Sequence, residues 1–184
     1  MTEGRLPGSQ VAGPQPEGGS VVRVAHVVGI DPGLVHTGCV RMVFDTITKR
    51  IDLDHYVVNG LNIVDAAVWV KGHGLDEPAV FIEGYRPRHN LAPDKRMVEA
   101  VAALRGALPG AEVLNNMGVT KTVPQPLMAL LGAWTWPSVT HHQDLRSAAR
   151  IALLGMMKDT VLNRLLAGTV EDHLDGRTWG VTHR

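Results

Sequence analysis

Four side chains in this sequence have the types and the placement to hold divalent cations. Asp31 follows the β-branched run VVRVAHVVGI and opens Asp31-Pro32-Gly33, and Glu83 closes the apolar run Ala79-Val-Phe-Ile. His141 and Asp144 stand three apart in Thr140-His-His-Gln-Asp144. A carboxylate at the carboxyl end of a buried strand sits where open α/β sheets place their ligands. Residues i and i+3 share one face of a helix. Each residue also has a plainer reading. Asp31 is a turn former, Glu83 a solvated strand end, and Asp144 an acid that favours a helix N-terminus by about 0.3–1 kcal/mol. His141 is then an ordinary surface residue. Taken together, two strand-end acids and a His/Asp pair on a packed helix suit a site for two divalent metals. Oxygen-rich donors favour Mg²⁺ or Mn²⁺ over zinc. Two such ions about 3.5–4 Å apart activate water and stabilise a leaving oxygen in phosphodiester hydrolysis.

The elements that must position these groups follow from patterning. Residues 1–20 are rich in Gly, Pro, Gln and Ser and read as a disordered tail. From Val21 the mostly apolar, β-branched run reads as a strand buried on both faces, ended by Asp-Pro-Gly. Two strand-like runs follow, Gly38 to Phe44 and about Ile51 to Val58, separated by turn formers, so an antiparallel meander is expected. Ile63, Ala66, Ala67 and Val70 lie at helical spacing, and Gly72 and Gly74 stop that run. A short strand at 79–83, a helix over Pro93 to Leu108 and a fifth strand at Ala111 to Asn115 come next. Pro124 to Leu131 reads as a short helix. Thr140 and Gln143 form a capping-box pattern ahead of a longer helix from about His141 to Leu166. The expected fold is α/β, a mixed five-stranded sheet with helices on its faces. The expected domain spans 21–166, with 167–184 as a tail.

Composition excludes several classes. The 184 residues hold 45% hydrophobic side chains, which rules out global disorder, and a lone cysteine, Cys39, cannot build a disulfide framework. No apolar run reaches the roughly 18 residues of a membrane span. The opening residues do not read as a signal peptide, so a soluble, cytoplasmic protein is expected. Charges sum to zero, 18 basic against 18 acidic, yet they are partitioned. Residues 45–79 hold six acids and three bases, whereas 84–105 hold Arg86, Arg88, Lys95, Arg96 and Arg105 against Asp94 and Glu99. Arg146, Arg150, Lys158 and Arg164 lie on the last long helix. The basic stretches begin beside Glu83 and Asp144, where a phosphate backbone would have to lie.

The strand ending Gly29-Ile30-Asp31-Pro32-Gly33, the strand ending Phe81-Ile82-Glu83 and the helix start His141-x-x-Asp144 with Ala148-Ala149-Arg150-Ile151-Ala152 resemble the RuvC family of Holliday-junction resolvases, in particular RuvC-like proteins of bacteriophages. The resemblance covers roughly residues 24–158. It implies a ribonuclease-H-like fold, a homodimer, and Mg²⁺-dependent nicking of paired strands at branched DNA, in the cytoplasm of a bacterial or phage-infected cell. Metal-binding catalytic roles fall on Asp31, Glu83, His141 and Asp144. Many family members carry aspartate at the His141 position, and the softer imidazole predicts a relative gain with Mn²⁺. Tyr85 resembles the aromatic residues that the family places on the loop after this glutamate, and Lys121 resembles a family lysine that contacts DNA. With Arg86, Arg88, Lys95, Arg96 and Arg146, these are the expected nucleic-acid contacts.

Other readings stand beside this one. A nuclease for RNA–DNA hybrids or RNA would use the same metal site. An inactive protein that only binds branched DNA would keep the fold without the chemistry. In an actin-like ATPase or sugar kinase the first phosphate loop can also follow a strand ending Gly-Ile-Asp, but such proteins need two large domains that 184 residues cannot supply.

Overall fold

The computed structural model describes residues 22–73, 78–84, 94–137, 139–140 and 142–184. Six strands form one sheet: β1 (Val24–Asp31), β2 (His36–Asp45), β3 (Arg50–Asn59), β4 (Ala79–Gly84), β5 (Glu112–Asn115) and β6 (Gly180–His183), in the order β5-β4-β1-β2-β3-β6. β1, β2 and β3 make the antiparallel meander, turned between β2 and β3 by Asp45, which accepts from the backbone N–H groups of Ile47 and Thr48. β4 lies parallel to β1, and β5 parallel to β4.

Strand β1 is central and serves two cores, as its mostly apolar run requires. Ala25 and Val27 face one side, with Val40, Met42, Phe44 and Phe81. Val28 and Ile30 face the other, with Cys39, Val80 and Ile82. The second side is covered by α1 (Ile63–Gly72) and α2 (Lys95–Ala107). Two short helices, α3 (Val119–Thr122) and α4 (Gln125–Leu130), follow β5. The first side is covered by α5 (His142–Lys158), which buries Leu145, Ala148, Ala149, Ile151, Ala152 and Leu153.

The small residues of α5 have a specific purpose. A Cβ on Gly29 of β1 would stand 2.0 Å from the Ala148 carbonyl oxygen. One on Gly38 of β2 would stand 2.6 Å from that of Asp144. The helix therefore rests on strand backbone, without side chains between them, and its first turn is held against the ends of β1 and β2.

Two expectations are corrected. The sheet has six strands, not five, because 167–184 is not a tail. The chain continues as α6 (Thr160–Leu174) and then as β6, parallel to β3 at the sheet edge. Asp172 anchors this end, accepting from Lys49 Nζ (2.7 Å), Arg177 Nε (2.8 Å) and Trp179 Nε1 (3.0 Å), with Trp179 buried against Phe44. The single helix expected from 141 to 166 is two, because Asp159 takes extended backbone and caps α6 by accepting from the N–H groups of Val161 and Leu162. The tail expected over 1–20 lies outside the described residues.

Candidate active site

Alternation along the strands decides which side chains can meet. In β1, Val27, Gly29 and Asp31 project to the α5 side, and in β4 Phe81 and Glu83 do the same. Parallel pairing of Ile30 with Ile82 sets Asp31 beside Glu83 at the carboxyl ends of two adjacent strands. On its other flank Asp31 is paired with Gly38, and it is Gly38 that carries the backbone of Asp144. Three acids from β1, β4 and α5 thus converge on one point, although 52 and 61 residues separate them along the chain.

Their surroundings hold the carboxyl groups far from ordinary behaviour. Burial, foremost, pushes the Asp31 carboxyl strongly upward, and the negative charge of Glu83, a hydrogen bond with Glu83 and the charge of Asp144 push it further. The Ser147 hydroxyl opposes this by donating to Asp31. Glu83 is raised by burial, while the Asn116 amide, donating to its Oε1, and the hydrogen bond with Asp31 pull it back. Asp31 and Glu83 therefore act as one unit that retains a proton where two separate carboxyls would have lost theirs. Behind the pair, on the opposite face of the sheet, the Cys39 thiol is pushed up to about 12 by burial and by Asp31, so it is inert as a nucleophile.

Donor chemistry fits a hard cation at this point. The converging groups are carboxylate oxygens, and a divalent charge would replace the retained proton and relieve the repulsion between them. Among the described residues, however, no three His, Cys, Asp or Glu side chains are already arranged to hold a metal ion. Asp31 and Glu83 bond to one another, while one Asp144 oxygen lies 3.7 Å from His36 Nδ1. His141 lies outside the described residues, as do Tyr85, Arg86 and Arg88.

The remaining basic positions fall at different distances from the acids. α2 reaches β5 through a tight turn at 108–111, so its opposite end, with Lys95 and Arg96, stands at the sheet edge where β4 delivers Glu83. Arg96 folds back onto Asp94 through Nε (3.2 Å) and Nη2 (2.8 Å). Exposed Lys121 lies in α3, whose first residue is tied to the carbonyl of Asn116, the partner of Glu83. Arg146 is half-buried: its Nε donates to the Trp134 carbonyl (2.8 Å) and its guanidinium sits 4.0 Å above the Trp134 ring. Arg150 approaches the same ring at 5.6 Å. Trp134 gathers both arginines at the turn that leads into α5.

Sequence reasoning missed Asn116, Ser147 and His36. Ser147 had a signal, since it stands three residues after Asp144 on the same helix face. Asn116 and His36 had none, because only strand register brings them to the acids. Ser147→Ala removes the hydroxyl that stabilises ionised Asp31, so the Asp31 carboxyl rises further. The expected result is an acid limb of any metal-dependent activity displaced to higher pH, read from rate against pH. A limb left in place would show that Ser147 does not govern Asp31.

No protein-family model matches this chain, and no curated protein matches it. Solved structures do. Thermus thermophilus RuvC in complex with a Holliday junction substrate aligns over 84% of this chain and 98% of its own, at 19% identity and a TM-score of 0.51. Thermus thermophilus RuvC by itself aligns over 85% and 98%, at 18% identity and a TM-score of 0.52. The chain has the RuvC-like, ribonuclease-H-like fold that its strand ends and helix start resemble.

Proposed function

We propose that this protein is a divalent-metal-dependent, structure-selective endonuclease that nicks four-way junctions or other branched DNA as a homodimer. The observation that carries the reading is the convergence of Asp31, Glu83 and Asp144 at the carboxyl ends of β1 and β4. The fold it shares with a protein solved on a Holliday junction substrate supports the choice of DNA substrate. Mg²⁺ or Mn²⁺ ions, two per site, held by these carboxylates with His141 as a fourth ligand, would supply the Lewis acidity that activates water and the charge that neutralises a phosphodiester. The residues of the chain do the rest. Asn116 orients Glu83, Ser147 orients Asp31, and the rigid seating of α5 on Gly29 and Gly38 fixes where Asp144 enters. Phe81, buried two residues before Glu83 on the same face of β4, lies behind the acids. Lys95, Arg96 and Lys121, with Tyr85, Arg86 and Arg88, form the proposed track for the DNA backbone, and Arg146 joins it through whatever donors Trp134 leaves open.

The test is a cleavage assay with a labelled four-way junction, a linear duplex and an RNA–DNA hybrid, each with Mg²⁺, Mn²⁺ or EDTA. Symmetric junction nicks are expected with either metal, and none with EDTA. Preferred cleavage of the hybrid would overturn the substrate assignment. Tight junction binding without cleavage in either metal would make the protein a binder and not a nuclease.

A further inference from the structure

The sequence offers His36 no role, yet the fold delivers it to the acids by two constraints. Along β2, His36, Gly38, Val40 and Met42 alternate onto the α5 face. His36 is thus the side chain next to Gly38 on that face, and Gly38 is the position on which the Asp144 backbone rests. The backbone that carries the imidazole is also held. A Cβ on Gly33 would stand 2.2 Å from the His36 carbonyl oxygen, so the Asp31-Pro32-Gly33 turn packs tightly against the start of β2.

Asp144 is fixed in a complementary way. Contact of its backbone with Gly38 leaves its carboxylate only side-chain torsions through which to move. On one side it feels Asp31, to whose raised carboxyl it contributes charge. On the other, its Oδ2 lies 3.7 Å from His36 Nδ1, with both side chains partly shielded from water, 24% exposed for the histidine and 29% for the acid. Repulsion from Asp31 favours an outward-turned carboxylate, and its Oδ2 lies beside His36.

Given the nuclease reading above, we infer that His36 is a positioning residue for Asp144, holding that carboxylate at the rim of the site so that cations are bound by a preset group. Partners of this kind fix the orientation of metal-binding side chains, and their loss typically weakens metal affinity or activity about 10–100-fold. The imidazole acts through Asp144 and touches neither substrate nor reacting atoms.

The experiment measures Mn²⁺ binding to the full-length protein by titration calorimetry, beside the Mn²⁺ concentration that gives half-maximal junction cleavage. His36→Ala is expected to weaken Mn²⁺ binding about tenfold, with cleavage recovered by raising Mn²⁺ by the same factor. His36→Asn places its amide nitrogen as many bonds from the backbone as Nδ1, and is expected to restore most of the affinity. Wild-type Mn²⁺ affinity in His36→Ala would overturn the inference while leaving the nuclease reading intact. Should His36→Asn bind as weakly as His36→Ala, the imidazole itself is a ligand and the positioning role is overturned. If His36→Ala does not fold, the comparison of His36→Asn with His36→Gln, whose amide stands one bond further out, decides the same question: equal affinities overturn the inference. Absence of Mn²⁺ binding by the wild-type protein would overturn both readings together.

Discussion

Asp31→Asn is expected to abolish junction cleavage and, in the same molecule, to raise the melting temperature of the metal-free protein. Losing a carboxylate that would hold the cations should cost on the order of 10³-fold or more in rate, since the electrostatic contribution of a metal is worth several kcal/mol and each tenfold is about 1.4 kcal/mol. The gain in stability has a separate origin. Asp31 is mostly buried and its carboxyl is raised, first by that burial and then by Glu83 and Asp144. A carboxyl raised in the folded state binds its proton more tightly there than in the unfolded chain. Its contribution is therefore fully favourable below the ordinary carboxylate range of about 4 and is lost as pH rises toward the raised value. Near neutral pH the wild-type protein bears that loss and the amide does not. The substituted side chain can also donate its amide N–H to Glu83, where a second carboxylate would repel it. The expected gain is at least about 1 kcal/mol, or about 2–4 °C for a chain of this size. Thermal melts with EDTA at pH 7 and near pH 4 check it: the advantage should be present at the first and shrink at the second. A variant that melts below wild type at pH 7 would mean that the acids are not in conflict, and the argument for a cation among them would lose its electrostatic support. On the proposed reading, the site gives up folding stability for charge that a bound cation would compensate.

How much of this was legible in the sequence depends on the range of the interaction. β1 was legible because a strand buried on both faces must be mostly apolar, and Asp31 stood out as the acid that ends the run from Val27 to Ile30. The meander was legible from its turn formers, since Asp45 shapes its turn through neighbours two and three residues away. Glu83 was legible as a strand end, but its position beside Asp31 was not. That depends on the pairing of Ile30 with Ile82, which only the folded sheet establishes. β6 was hidden for the same reason. Four residues with no long alternation become a strand only because β3 offers an edge and Asp172 ties Trp179 down beside it. The break between α5 and α6 was within reach, since Asp159-Thr160 is a standard helix start, but a periodic apolar stripe on both sides disguised it. Resemblance to a known family carried the reading furthest at the acids, where matching motifs are short and their order along the chain is informative. It carried least where side chains such as His36 and Asn116 act through the register of this particular sheet.

Gly29→Ala is the substitution expected to damage the protein most for its size. The added methyl would stand 2.0 Å from the Ala148 carbonyl oxygen, 2.9 Å from its carbon and 2.9 Å from the Ala152 nitrogen. All three are helix backbone, so no side chain can swing aside, and α5 as a whole must lift from β1. Lifting it loosens Leu145, Ala148, Ala149 and Ala152, which are fully buried. Overpacking of this kind typically costs about 1–3 kcal/mol, and the upper end or beyond is expected here because the obstruction is backbone on both sides. The denaturant midpoint should fall with little change in slope. Gly168→Ala in α6 is the internal contrast. Its Cβ would meet nothing within 4 Å, and an alanine in a helix interior is worth about 0.5–1 kcal/mol over glycine, so the same chemical change should stabilise there. The two variants also separate stability from function. Gly168→Ala should leave Mn²⁺ affinity unchanged. Gly29→Ala should weaken it even at temperatures where the protein remains folded, because Asp144 travels with the first turn of α5. If Gly29→Ala lowers the denaturant midpoint yet binds Mn²⁺ as wild type does, the close seating of α5 serves the fold alone and Asp144 is not placed by it.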